Sequence, residues 1–115
     1  MAEGALRGWN MNGTPQQFYE QGIRYAALEA RTTMNNEYNQ LVDEYLNVEA
    51  PKGIAYVDPQ GLTPDMPSVT KIGVKWNESD SKEIKLEKII TQKYIASFPY
   101  SYESWVDLRR VGYPK

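Results

Sequence analysis

Four of the chain's seven prolines, Pro51, Pro59, Pro64 and Pro67, fall between Ala50 and Ser68, together with two glycines. Proline lacks a backbone N–H and clashes with the preceding helical turn, so neither a helix nor a central strand runs through such a stretch. The segment is read as a long loop. Long ordered loops are often functional, although many merely link elements. At 115 residues the chain is a single domain or a fragment of a larger one, and this loop divides it into two halves.

The first half is patterned for helices. Thr14-Pro15-Gln16-Gln17 is a strong helix start: Thr14 caps, Pro15 suits the first helical position, and Gln17 completes a capping box. Phe18, Gly22, Ile23, Ala26, Ala27 and Ala30 then share one helical face, whose small residues are expected to admit a close neighbour. Ahead of this helix, Ala2 to Trp9 reads as the end of another, broken at Gly13. A further helix is expected from Asn36 to Val48. Tyr38, Leu41, Val42, Tyr45 and Leu46 form its apolar face, while Glu37, Asp43, Glu44 and Glu49 meet water.

After the loop, Ile72, Val74 and Trp76 alternate with Gly73 and Lys75. This is either a short strand or an extended segment lying across helices. Asp80 and Glu83 are read as a capping box for a long helix that turns Leu86, Ile89, Ile90, Tyr94 and Phe98 inward and ends near Pro99. A short final helix runs through Trp105 and Leu108 and stops at Gly112 and Pro114. The expected fold is mainly α: antiparallel helix pairs, a long Pro-rich loop and at most one short extended segment.

Composition excludes several activities. The chain is 41% hydrophobic and 24% charged, which fits a globular protein rather than a disordered one. A net charge of −2 gives no basic excess for neutralising phosphates, so no nucleic-acid partner is expected. Zero cysteines remove disulfides, thiolate nucleophiles and thiolate metal sites. Zero histidines remove His-based acid–base chemistry, serine triads and His-ligated zinc. No apolar run reaches the roughly 20 residues that span a bilayer. Glu3 and Arg7 stand where the apolar part of a signal peptide would be. Asn12 and Asn77 match the glycosylation acceptor pattern but are better explained as turn and cap residues.

Two constellations near the C-terminus bear on chemistry. Glu103 and Asp107 stand four apart and share a helix face, as a glycoside-hydrolysing carboxylate pair would. That chemistry needs one raised pKa, whereas Arg109 and Arg110 alongside favour both ionised carboxylates, so salt bridges are the better reading. Trp105 and Arg109 are also four apart, which lets the guanidinium lie over the indole. An arginine fork for a carboxylate or phosphate ligand stays open as the alternative. No catalytic, cofactor-binding or metal-ligating residue is assigned, and the chain is not expected to be an enzyme.

The stretch from Lys85 to Lys115, "KLEKIITQKYIASFPYSYESWVDLRRVGYPK", resembles the C-terminal region of SusD/RagB-like proteins. A helix with a QKYIA-type signature there leads to Glu103, Trp105, Asp107, Arg109, Arg110, Gly112, Tyr113 and Pro114. Ala2 to Ala26 looks like the family's preceding helical pair. The resemblance implies a surface lipoprotein of Bacteroidota with tetratricopeptide-like helix pairs. Such a protein sits over a TonB-dependent outer-membrane transporter and captures oligosaccharides or peptides for import, without being an enzyme or holding a cofactor. Family members are several times longer, so this chain reads as a fragment, with outer-membrane anchoring belonging to the full-length parent. The rival expectation is a stand-alone helical module that binds a protein partner. Within the leading reading the signature residues serve packing, and Trp105 is expected to be buried, at a cost of about 3–5 kcal/mol on truncation to alanine. Ligand contacts are sought around Tyr56 and Asp58, although the sequence names no ligand-binding residues.

Overall fold

The computed structural model describes residues 1–29 and 36–114. Five helices follow one another: α1 (Ala2–Leu6), α2 (Pro15–Glu29), α3 (Asn36–Leu46), α4 (Lys82–Ser97) and α5 (Ser101–Val111). The α2 helix lies against α1, α3 and α4, and α5 lies against α4. Among the described residues no strand forms, and the only β-bridge pairs Tyr56 with Met66 inside the loop. The mainly helical expectation is met.

The start of α2 forms as its residues predict. The Gln17 N–H donates to Thr14 Oγ1 at 3.2 Å, and the Thr14 N–H donates to Gln17 Oε1 at 3.0 Å. This reciprocal cap satisfies two of the otherwise orphaned donors. The first helix ends at Leu6, short of Trp9, and Asn12 turns the chain with a φ of 58°. Asparagine tolerates this left-handed conformation better than most side chains.

The core gathers Tyr19 and Ile23 of α2, Tyr38, Val42 and Leu46 of α3, Ala2, and Trp76 from beyond the loop. Each large apolar member contributes about 1.5–3 kcal/mol by leaving water. The buried face of α2 differs in part from the expected one. Tyr19 is central to it, Gly22 is exposed, and among the described residues a Cβ at Gly22 would meet no atom within 4 Å, so no described helix approaches there. Ala30 lies outside the described residues. In α3, Tyr38, Val42 and Leu46 point inward as expected, whereas Leu41 and Tyr45 remain exposed.

The stretch from Ile72 to Trp76 is not a strand: residues 73–80 form an irregular strap across the helices, bent at Val74 and Lys75 and turned at Glu78 and Ser79. The N–H groups of Val74 and Lys75 both donate to the Val48 carbonyl, at 2.8 and 2.9 Å. The Tyr19 hydroxyl donates to the Val74 carbonyl at 2.6 Å, and Lys88 Nζ donates to the Lys75 carbonyl at 2.7 Å. Trp76 packs its ring 5.2 Å from that of Tyr19 and donates its indole N–H to Glu78. Burial raises the Tyr19 phenol well above its ordinary pKa, which keeps it a neutral donor. The strap passes so close to the end of α3 that a Cβ at Gly73 would lie 2.1 Å from the Glu49 carbonyl oxygen. Only glycine fits that approach.

The cap of α4 departs from expectation. Ser81, not Asp80, is the N-cap, its hydroxyl accepting from the Ile84 N–H at 3.3 Å. Asp80 is instead drawn to the ammonium of Lys88, which is buried and needs a counter-charge. Leu86 and Ile90 face the core as predicted, and Ile89 packs partly against it. Tyr94 and Phe98 do not, being 44% and 77% exposed, because no α4 residue beyond Ile90 is buried. The final helix ends at Gly112 in the left-handed conformation, φ 77°, as a C-terminal glycine permits.

Candidate functional site: the signature helix and the exposed loop

The signature residues of α5 meet partners from across the chain. Arg110 donates to both carboxylate oxygens of Glu3, at 2.5 and 2.8 Å, and to Asp107 at 3.1 Å. Arg7 holds the same Glu3 from one turn along α1, at 2.9 Å. Lys93 of α4 reaches Asp107 at 2.8 Å and Glu103 at 3.3 Å. One chain of alternating charges therefore ties α1, α4 and α5 together.

Electrostatics follow from this geometry. Hydrogen bonds from Arg110 and, to a lesser degree, Arg7 hold the Glu3 carboxyl down at about 2, against the penalty of its partial burial. The hydrogen bond to Asp107 raises the Lys93 ammonium, with Glu103 adding to the effect. The salt-bridge reading of Glu103 and Asp107 holds, with a change of partners: Lys93 and Arg110 take the carboxylates. Glu3 and Lys93 carry no signal visible at local spacing, since Glu3 is 107 residues from Arg110. Both carboxylates of the pair are engaged in ion pairs between helices, so the arrangement suits a scaffold.

Arg109 lies 4.8 Å from the centre of the Trp105 ring, the stacking anticipated from their spacing. Burial of Trp105 is not found. Its side chain is 55% exposed, because in α5 it is Ser104 and Asp107 that face inward. The truncation cost expected above does not apply to this position in this chain.

The loop presents a different surface. From residue 49 to 71 every side chain is exposed except that of Asp58. Asp58 accepts from the N–H groups of Gln60, Leu62 and Thr63 and from the Thr63 hydroxyl, at 2.8–3.0 Å. These bonds, that from Gln60 foremost, lower its pKa and fix the turn that displays Leu62. Asp58 is thereby committed to the loop's own backbone, while Tyr56 beside it stays 54% exposed. Among the described residues no three metal-binding side chains cluster, and no helix is long and apolar enough to cross a membrane.

Residues 1–115 match the model of the SusD-like family, described as SusD and RagB outer membrane lipoprotein. The chain belongs to the SusD-like family. Solved structures agree in sequence and shape. A chitin-binding SusD homologue from Flavobacterium johnsoniae is 44% identical, with a TM-score of 0.84 over 99% of this chain. A SusD homologue from Bacteroides uniformis is 46% identical with a TM-score of 0.83, and one from Bacteroides thetaiotaomicron 44% with 0.80, each over 99% of this chain. In every case the chain spans 22% of the relative's length. No curated protein is a significant match. The SusD-like likeness thus extends over the whole chain, including the middle that carried no signature.

Proposed function

We propose that this segment is the scaffold part of a larger helical domain in a cell-surface nutrient-binding lipoprotein, one that captures glycans and passes them to a TonB-dependent outer-membrane transporter. The observation that carries the reading is the 44% identity, over 99% of the chain, to a chitin-binding SusD homologue of the same shape. The chemistry is consistent with binding rather than turnover. Glu3 and Asp107 are ion-paired with Arg110, and Glu103 and Asp107 with Lys93, so each carboxylate is engaged with a cation rather than free as an acid, base or nucleophile. An oligosaccharide is favoured over a peptide because the relative of known ligand takes chitin.

The test uses the longer polypeptide that carries this segment. Calorimetric titration with chitin oligosaccharides is expected to show saturable binding without hydrolysis of the sugar. Affinity purification from outer membranes is expected to bring down a TonB-dependent transporter. Absence of both would sink the reading and leave a helical protein-interaction module in its place.

A further inference from the structure

A second apolar surface lies away from the core. Tyr94 and Ile95 of α4 and Trp105 and Leu108 of α5 line a groove of about 520 Å³, walled by Thr70 from the loop and Pro114 past α5. These four side chains are 44%, 53%, 55% and 46% exposed. Large apolar groups on two adjacent helices rarely face water together unless something covers them.

Arg109 adds a charge to the rim. Arg7, Arg24 and Arg110 each hold a carboxylate, whereas among the described residues Arg109 holds none and only stacks on Trp105. A guanidinium beside an apolar groove is a ready partner for a carboxylate once water is excluded. The stacked guanidinium also covers part of the indole, which leaves less of the ring for stacking on a sugar.

We infer that the groove between α4 and α5 is the seat of another part of the same longer polypeptide, a segment that inserts apolar side chains beside Trp105 and brings a carboxylate to Arg109. The inference rests on the proposed reading of this chain as part of a larger protein, and the length of the relatives favours this occupant: they are matched over 22% of their length, so most of their chain lies outside the matched portion. Coverage from within the same polypeptide removes Trp105 from water without any ligand. It also makes Trp105 a residue of the interior of the whole protein, although it is on the surface of this segment.

Carbene footprinting of the intact longer polypeptide tests the inference, with the urea-unfolded polypeptide as the fully labelled reference. Labelling of Tyr94, Trp105 and Leu108 is expected to fall to background in the folded protein, without glycan and at every protein concentration. Arg109→Glu is expected to restore labelling at Trp105 and lower the thermal midpoint, while Arg109→Lys keeps protection. Labelling of Trp105 as strong as in the unfolded reference would overturn the inference. Protection that appears only on adding chitin oligosaccharide would assign the groove to glycan, and protection that appears only at high protein concentration would assign it to a second copy. Either would overturn it as well. Because the footprint is read without glycan, loss of chitin binding in the titration above leaves this inference standing, and the reverse holds too.

Discussion

The strap at 73–80 and the loop at 50–70 are both irregular, adjoin each other in sequence, and have opposite fates. The strap's carbonyls are claimed by side chains rooted in helices, Tyr19 from α2 and Lys88 from α4, and its Trp76 is buried. Among the described residues the loop's hydrogen bonds stay within the loop, at Asp58, in the Tyr56–Met66 pair and from the Thr70 N–H to Ser68 Oγ. Regular secondary structure is therefore not what makes a segment part of the core. What matters is whether its backbone polar groups find partners fixed elsewhere, since a buried carbonyl without one costs more than the surrounding apolar contacts return.

The sharpest way to break this contrast is to truncate Trp76. Trp76→Ala is expected to cost about 3–5 kcal/mol in urea unfolding, whereas Trp105→Ala in the same chain costs about 1 kcal/mol or less. Equal losses would mean that the strap is no more structural than an exposed helix face. Next in size is Lys88→Ala, which strands Asp80 and the Lys75 carbonyl together; a loss of about 2–3 kcal/mol is expected, discounted for the partial exposure of Asp80. Tyr19→Phe removes only the hydroxyl that holds Val74 and should cost about 1 kcal/mol, with faster amide exchange confined to the strap. At the low end, Asp58→Ala should change global stability by no more than about 0.5 kcal/mol, while the amides of Gln60, Leu62 and Thr63 exchange faster. A global loss of the size seen for Lys88 would show that the loop supports the helices after all.

Much of the fold was legible because local chemistry decides it. Thr14 and Gln17 cap α2, and Gly112 ends α5, through contacts made within a few residues. The family signature in α5 likewise pointed to a relationship that extends over the whole chain. What local pattern could not settle was which of several apolar residues on one helix meets a partner. Tyr94, Phe98 and Trp105 have the spacing of core residues and lie outside it, because burial depends on what crosses the helix rather than on its own period. The charge partners escaped for the same reason: Glu3 and Arg110 stand at opposite ends of the chain. Asp80 is claimed by Lys88, eight residues on in the helix it would have capped, a pairing that the burial of Lys88 decides.

The close passage of Gly73 beside Glu49, with the Val48 carbonyl gripping two successive N–H groups, forms a neck from which the whole loop hangs. Closing such a loop costs entropy that grows only with the logarithm of its length, roughly 0.6 kcal/mol for each doubling. Between the two sides of the neck, added length therefore costs the helices little stability. Gly73 is the opposite case, a position with no room for change. The neck thus separates a segment whose length weighs little on stability from a single position that admits no side chain.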